Sequence, residues 1–121
     1  MHRKDFKAAV RYFESMKNSL DDKSDTERAY FFCLGSRAYT GIGNPTKALG
    51  LVRSSIAILS KTVGDKSELG QAYIILGDTL RELGFYDEAE HAFRDAESIF
   101  RRDDNISEAG DALNQIGRAH V

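Results

Sequence analysis

The stretch Leu76–Ala89, LGDTLRELGFYDEA, contains two glycines seven residues apart in a sequence otherwise rich in helix-forming residues. A glycine inside a helix costs about 1 kcal/mol relative to alanine, so Gly77 is expected where a neighbouring helix approaches closely. Gly84 is expected to end one helix, because glycine readily adopts the left-handed conformation of a helix C-terminus. The stretch therefore predicts a hairpin of two helices.

The segment around Gly77 occurs three times in the chain. The copies are ERAYFFCLGSRAY from Glu27, ELGQAYIILGDTL from Glu68 and EAGDALNQIGRAH from Glu108. Their equivalent glycines, Gly35, Gly77 and Gly117, are 42 and 40 residues apart. Each copy has a capping residue three positions before its first glutamate, in the pairs Ser24/Glu27, Asp65/Glu68 and Asn105/Glu108. This spacing is typical of a capping box and predicts three helix starts.

A second helix type alternates with the first, in the segments KDFKAAVRYF, GNPTKALGLV and GFYDEAEHAF. Asn44 is a predicted N-cap before Pro45, and Gly43, Gly64 and Gly84 are predicted helix stops. Apolar residues follow at helical spacing, as Leu49, Val52, Ile56, Leu59 and Val63 and as Ala89, Phe93, Ala96 and Phe100. The pattern predicts six helices of about 15 to 18 residues joined by tight turns.

These residues resemble the tetratricopeptide repeat (TPR) family. The second repeat matches the family pattern in order at Tyr73, Leu76, Gly77, Leu80, Gly84, Tyr86, Ala89, Phe93 and Ala96. The first repeat departs from it at Val52 and Ser55, where the family usually has Phe and Ala. The period of about 40 residues exceeds the usual 34 and resembles the long-helix branch found in kinesin light chains, polarity scaffolds and ligand-sensing bacterial transcription regulators.

The resemblance implies an all-α, right-handed superhelix of stacked antiparallel helix hairpins. We expect a single domain with one helix in 1–22, full repeats in 23–64 and 65–104, and one helix in 105–121. On this division the chain starts in the second helix of one repeat and ends in the first helix of another. We therefore expect it to be a fragment of a longer array.

Composition and motifs argue against several functional classes. The net charge of −2 does not favour nucleic acid, and no apolar run approaches the length of a membrane span. One cysteine, Cys33, suits a reducing, cytoplasmic location and is expected to be a packed, inert thiol. His2, His91 and His120 lack the spacing of a metal site, and GIGNPTK lacks the ending of a phosphate loop. We expect no enzyme activity, metal or cofactor.

In the TPR family the first helix of each hairpin lines a concave groove that binds a peptide or helix of a partner protein. By this resemblance the predicted groove residues are Phe32, Cys33, Ser36, Gln71, Ile74, Ile75, Asp78, Arg81, Asn114, Gln115 and Arg118. Phe32, Ile74 and Ile75 are the predicted apolar anchors, because the core stripe is already filled by Phe31, Leu34, Tyr73 and Leu76. The alternative, that long helices bury these anchors over a wider face, is equally open.

Two other functions stay open. One is a sensory domain of a transcription regulator that binds a small ligand or signalling peptide. The other is a structural role, with homo-oligomers formed through the apolar faces of the first helix (DFKAAVRYF) and the last (DALNQIGRAHV). Capture of chaperone C-termini is disfavoured, because the corresponding positions have no lysine to bind a terminal carboxylate.

Overall fold

The computed structural model describes residues 3–62, 66–102 and 106–118, which form six α-helices without any strand. They are α1 (Arg3–Met16), α2 (Asp25–Gly41), α3 (Pro45–Leu59), α4 (Ser67–Glu82), α5 (Tyr86–Arg102) and α6 (Ile106–Arg118). The predicted all-α class and six helices are confirmed, although α1 and α6, at 14 and 13 residues, are shorter than expected. In these ranges no helix has the length and apolar character needed to cross a membrane.

Helices that follow one another in sequence pack together, and α2 also contacts α4. The most extensive contacts join α2 to α3 and α4 to α5, which are the two predicted hairpins. The core is divided into four clusters along the chain, each of which joins two or three neighbouring helices. This repeat-like arrangement gives each helix pair a core that is completed by the next helix.

The starts of α2 and α3 and the helix stops at Gly43 and Gly84 follow the predicted signals. Ser24 and Glu27 form a complete capping box at the start of α2, and the Asn44 side chain accepts a hydrogen bond from the backbone of Lys47 in α3. Gly43 and Gly84 have φ angles of 86° and 85°, so both adopt the left-handed conformation that a side chain would disfavour.

The start of α4 differs from the prediction. Its N-cap is Lys66, which makes no capping hydrogen bond through its side chain, so the helix begins one residue later than a cap at Asp65 requires. Asp65 itself, the predicted stop at Gly64 and the predicted cap at Asn105 lie outside the described residues. Only the first of the three predicted capping boxes is therefore confirmed.

The glycines inside α2 and α4 lie under aromatic rings of neighbouring helices, which confirms the close approach predicted at Gly77. A methyl group at Gly77 would overlap the ring of Phe93, which is fully buried on α5. In the first hairpin Val52 occupies the position of Phe93, and the ring over Gly35 belongs instead to Phe13 of α1, with a Cβ-to-ring distance of 2.5 Å. The space over the glycine is therefore filled by a ring from α5 in the second hairpin and by a ring from α1 in the first.

A charged junction fastens α1 to the first hairpin. The hydroxyl of Tyr39 in α2 donates to the carboxylate of Glu14 in α1, and the Lys47 ammonium of α3 lies 3.2 Å from it. Lys17, the residue that follows α1, is 2.6 Å from the other carboxylate oxygen. Hydrogen bonds from Lys17, Tyr39 and Lys47 lower the pKa of Glu14 to about 2. The carboxylate is therefore ionised at neutral pH, where it contacts all three helices.

Candidate binding groove

An open depression runs along the face formed by α1, α2 and α4. A cavity of about 440 Å³ lies at the end next to the C-terminal half of α1, here called the α1 end, and a second of about 210 Å³ lies between α2 and α4. These two share Tyr30, Leu34 and Glu68. A third cavity of about 220 Å³ shares Arg37 and Ile75 with the second. Because the cavities share walls, we treat them as one groove, defined by the residues that line these three cavities.

The α1 end of the groove is apolar and open to solvent. Tyr12 is 60% exposed, Tyr30 is 55% exposed and Leu34 is 44% exposed, and all three line the 440 Å³ cavity. Met16 and Leu20 add further apolar surface to the same wall. Large apolar side chains grouped around a cavity are typical of a binding surface, whereas single exposed ones are ordinary.

Asp78, which lines the third cavity, begins a series of polar contacts that reaches α6. Asp78 lies 3.0 Å from the guanidinium of Arg81, which donates to Gln115 of α6 at 3.0 Å. The same guanidinium lies 5.8 Å from the centre of the Phe93 ring. Three of the predicted groove residues are thus brought together, in a contact between α4 and α6.

Two of the predicted groove residues lie in the packed interior instead. Ser36 is fully buried, and its hydroxyl donates a hydrogen bond to the carbonyl of Ala48 in α3 at 2.9 Å. Ile75 is 6% exposed and belongs to the core cluster that joins α2, α3 and α4. It only forms part of the floor between the second and third cavities. Ser36 therefore does not project into the groove, and Ile75 contributes only to its floor.

The other two predicted anchors are partly buried on other faces. Phe32 packs against the cluster of Phe13, Tyr39 and Ala48, and Ile74 packs towards α5 and α6. The alternative that long helices bury these side chains over a wider face describes their surroundings better. Of the remaining predicted residues, Gln71 lines the second cavity, Asn114 is exposed on α6, and the side chain of Arg118 lies outside the described residues.

Sequence reasoning missed the exposed apolar residues of the groove. Leu34 was predicted to be in the core stripe, and Tyr30 was not singled out. The signal was present, because Tyr30, Leu34 and Arg37 recur at helical spacing and share one exposed face of α2. The prediction for Leu34 was wrong because it treated α2 and α4 as equivalent around Gly35 and Gly77. The two helices have different neighbours there, since the ring over Gly35 comes from α1 and the ring over Gly77 comes from α5.

Cys33 is a partly buried thiol at the edge of the second cavity. Its sulfur lies 3.1 Å from the hydroxyl oxygen of Ser55, which in turn donates to the carbonyl of Ala29 at 2.9 Å. Burial raises the pKa of the Cys33 thiol, so it is protonated at neutral pH, as expected of a packed thiol. Within the described ranges, no group of three or more His, Cys, Asp or Glu residues could hold a metal ion.

Comparison with known proteins leaves the groove as the main evidence on function. No protein-family model matches the sequence, and no curated protein matches it.

Proposed function

We propose that this chain is a non-enzymatic, TPR-like binding module that holds a peptide or helical segment of another protein in the groove. The observation that supports the proposal is the open cavity of about 440 Å³ with Tyr12, Tyr30 and Leu34 exposed around it. A relationship to TPR arrays is part of the proposal, supported by the paired helices and by the ring of Phe93 over Gly77. A cytoplasmic location, as the lone Cys33 suggests, fits this role.

The binding mechanism would use a preformed surface. Tyr30 and Leu34 would be the apolar anchors, and Gln71 and Arg37 would set the register of the bound segment through polar contacts. Because α2 and α4 are held by packed cores on their other faces, little conformational entropy would be lost in the module when a partner binds. A partner helix would insert apolar side chains at helical spacing, and an extended peptide would do so at alternate positions.

The test is selection from a peptide display library, followed by affinity measurement with the enriched peptides. We expect Tyr30→Ser with Leu34→Asp to lower the affinity at least about tenfold, because central anchors of an interface contribute about 1–2 kcal/mol or more. Both side chains are exposed, so circular dichroism should show unchanged helix content. Tyr86→Ser is the matched control, because Tyr86, the first residue of α5, is 44% exposed, as Leu34 is, and lies outside the groove.

A groove variant that binds the selected peptides as well as wild type does would contradict the proposal. So would a selection in which nothing is enriched over the groove variant.

A second candidate function is self-association through the terminal helices. Tyr12 on α1 and Leu113 on α6, at 60% and 41%, are among the most exposed apolar side chains of the described residues. α6 is a helix of the first type and α1 is a helix of the second type. The α6 helix of one copy could therefore pair with the α1 helix of another, as α4 pairs with α5 within one chain.

A further inference from the structure

The 440 Å³ cavity combines aromatic rings with carboxylates. Tyr12, Tyr30 and Phe31 line it, and the Tyr12 and Phe31 rings meet edge to face at 6.4 Å. Glu27 and Glu68 line the same cavity. The faces of aromatic rings attract cations, and a carboxylate beside a ring adds to that attraction. The wall therefore has the chemistry to bind a positively charged group next to an apolar one.

Neither carboxylate is neutralised by a basic side chain of the described residues. Glu27 uses one oxygen to accept the backbone N–H of Ser24, at 3.3 Å, and is otherwise exposed. The carboxylate of Glu68, exposed in the first turn of α4, has no ion pair or hydrogen bond to any described residue. Both oxygens of Glu68 and the second oxygen of Glu27 are thus open to a bound cation.

The charges around the cavity leave an acidic excess. Lys23 is the cation on the wall, against Glu27 and Glu68. The loop that supplies Leu20 and Lys23 also contains the exposed residues Asp21 and Asp22 between them. Potentials of opposite sign favour association and orient a partner, so the acidic excess selects a basic ligand over an acidic one.

We propose that the occupant of this cavity is a segment of a partner protein in which a Lys or Arg lies next to an apolar residue. The apolar side chain would enter between Tyr30 and Leu34, and the cation would lie against the rings within reach of Glu27 and Glu68. This inference rests on the proposed function, because it names the chemistry of the segment that the groove binds.

The experiment is a parallel peptide-display selection on wild type and on the double variant Glu27→Gln with Glu68→Gln. Glutamine at position 27 can still complete the capping box, so the double variant should fold. We expect Lys or Arg beside an apolar residue to be enriched more strongly on wild type than on the double variant, which keeps the rings but lacks both carboxylates. For an enriched peptide, the double variant should bind about 2- to 25-fold more weakly, since each exposed ion pair changes affinity by about 1.4- to 5-fold.

Two matched controls make the test specific. Glu82→Gln removes an exposed carboxylate from the other end of α4 and should leave affinity unchanged. Replacing the basic residue of the peptide by glutamine should weaken binding to wild type more than to the double variant, which keeps only the attraction of the rings for the cation. Equal effects on both proteins would show that the cation does not contact Glu27 or Glu68 and would overturn the inference.

The outcomes separate this inference from the proposed function. Enrichment of apolar peptides without basic residues would overturn the inference and leave the proposed function intact. Enrichment of nothing would overturn both. A dimer that dissociates when Tyr30 is changed to Ser would assign the cavity to a second copy of the chain and would also overturn the inference.

Discussion

Gly50 and Gly77 both lie inside helices, but their surroundings differ. Outside its chain neighbours and the nearby backbone of its own helix, no atom lies within 4 Å of a Cβ built on Gly50, whereas a Cβ on Gly77 overlaps the buried ring of Phe93. The same substitution therefore tests two opposing effects. In open space, replacing glycine by alanine stabilises the helix through the higher helix propensity of alanine. Under a ring, the same replacement overpacks the core and destabilises the protein.

We expect Gly77→Ala to lower the free energy of unfolding by about 1–3 kcal/mol, because the Phe93 ring is buried and must shift. The matched control, Gly50→Ala, should raise it by up to about 1 kcal/mol. Urea unfolding followed by circular dichroism measures both. If Gly77→Ala were as stabilising as Gly50→Ala, the close approach of α4 and α5 at this glycine would be wrong.

At the scale of helices, α1 depends on the junction of Glu14, Tyr39 and Lys47. The pKa of Glu14 is lowered to about 2 from an ordinary 4.5, so ionised Glu14 contributes stability that is present above pH 4.5. That contribution is lost as the pH falls from 4.5 towards 2, because the unfolded chain then binds a proton that the folded chain does not.

We expect Glu14→Gln to lower the free energy of unfolding at pH 7 and to reduce the loss of stability between pH 7 and pH 3. Urea unfolding at the two pH values measures this difference. Glu82→Gln, which changes an exposed carboxylate outside the junction, should keep the wild-type pH dependence. An unchanged acid response in Glu14→Gln would show that the junction does not hold α1 against the hairpin.

The helices and their pairing could be predicted from sequence, whereas the choice of which helix face is buried and which is exposed could not. Ala89, Phe93, Ala96 and Phe100 repeat at helical spacing, and all four are fully buried as predicted. The groove anchors on α2 could not be predicted without knowing which side of α2 its neighbouring helices cover. Leu34 and Ile75 exchange their predicted places because periodicity gives the spacing of an apolar stripe but not its boundary when apolar residues surround most of the helix.

The charged contacts were also beyond prediction from sequence. Glu14 and Lys47 are 33 residues apart, and Arg81 and Gln115 are 34 apart, so no local pattern links them. Only the packing of α1 on α2 and of α6 on α4 and α5 brings them together. Nearby pairs such as Asp78 and Arg81, three residues apart on one helix, are within reach of local reasoning.

At the scale of the whole molecule, the end helices determine whether copies associate. If α1 and α6 pair between copies, the mean mass by light scattering should rise with protein concentration. Leu113→Glu should return the mass towards that of a monomer, because it places a charge in the apolar contact. Phe85→Ser is the control, since Phe85 is 50% exposed in the turn between α4 and α5. A monomer mass that does not change with concentration would contradict self-association.

The ring of Phe13 over Gly35 has a consequence for how such a chain could be duplicated or cut. Because Val52 leaves the space over Gly35 to a residue from α1, the first hairpin is not a self-sufficient module. If residues 23–64 were copied into another protein, the space over Gly35 would be empty unless a phenylalanine filled it, either from a preceding helix or at position 52. The second hairpin carries its own ring over Gly77 in Phe93, so a copy of it would not need that ring from another helix.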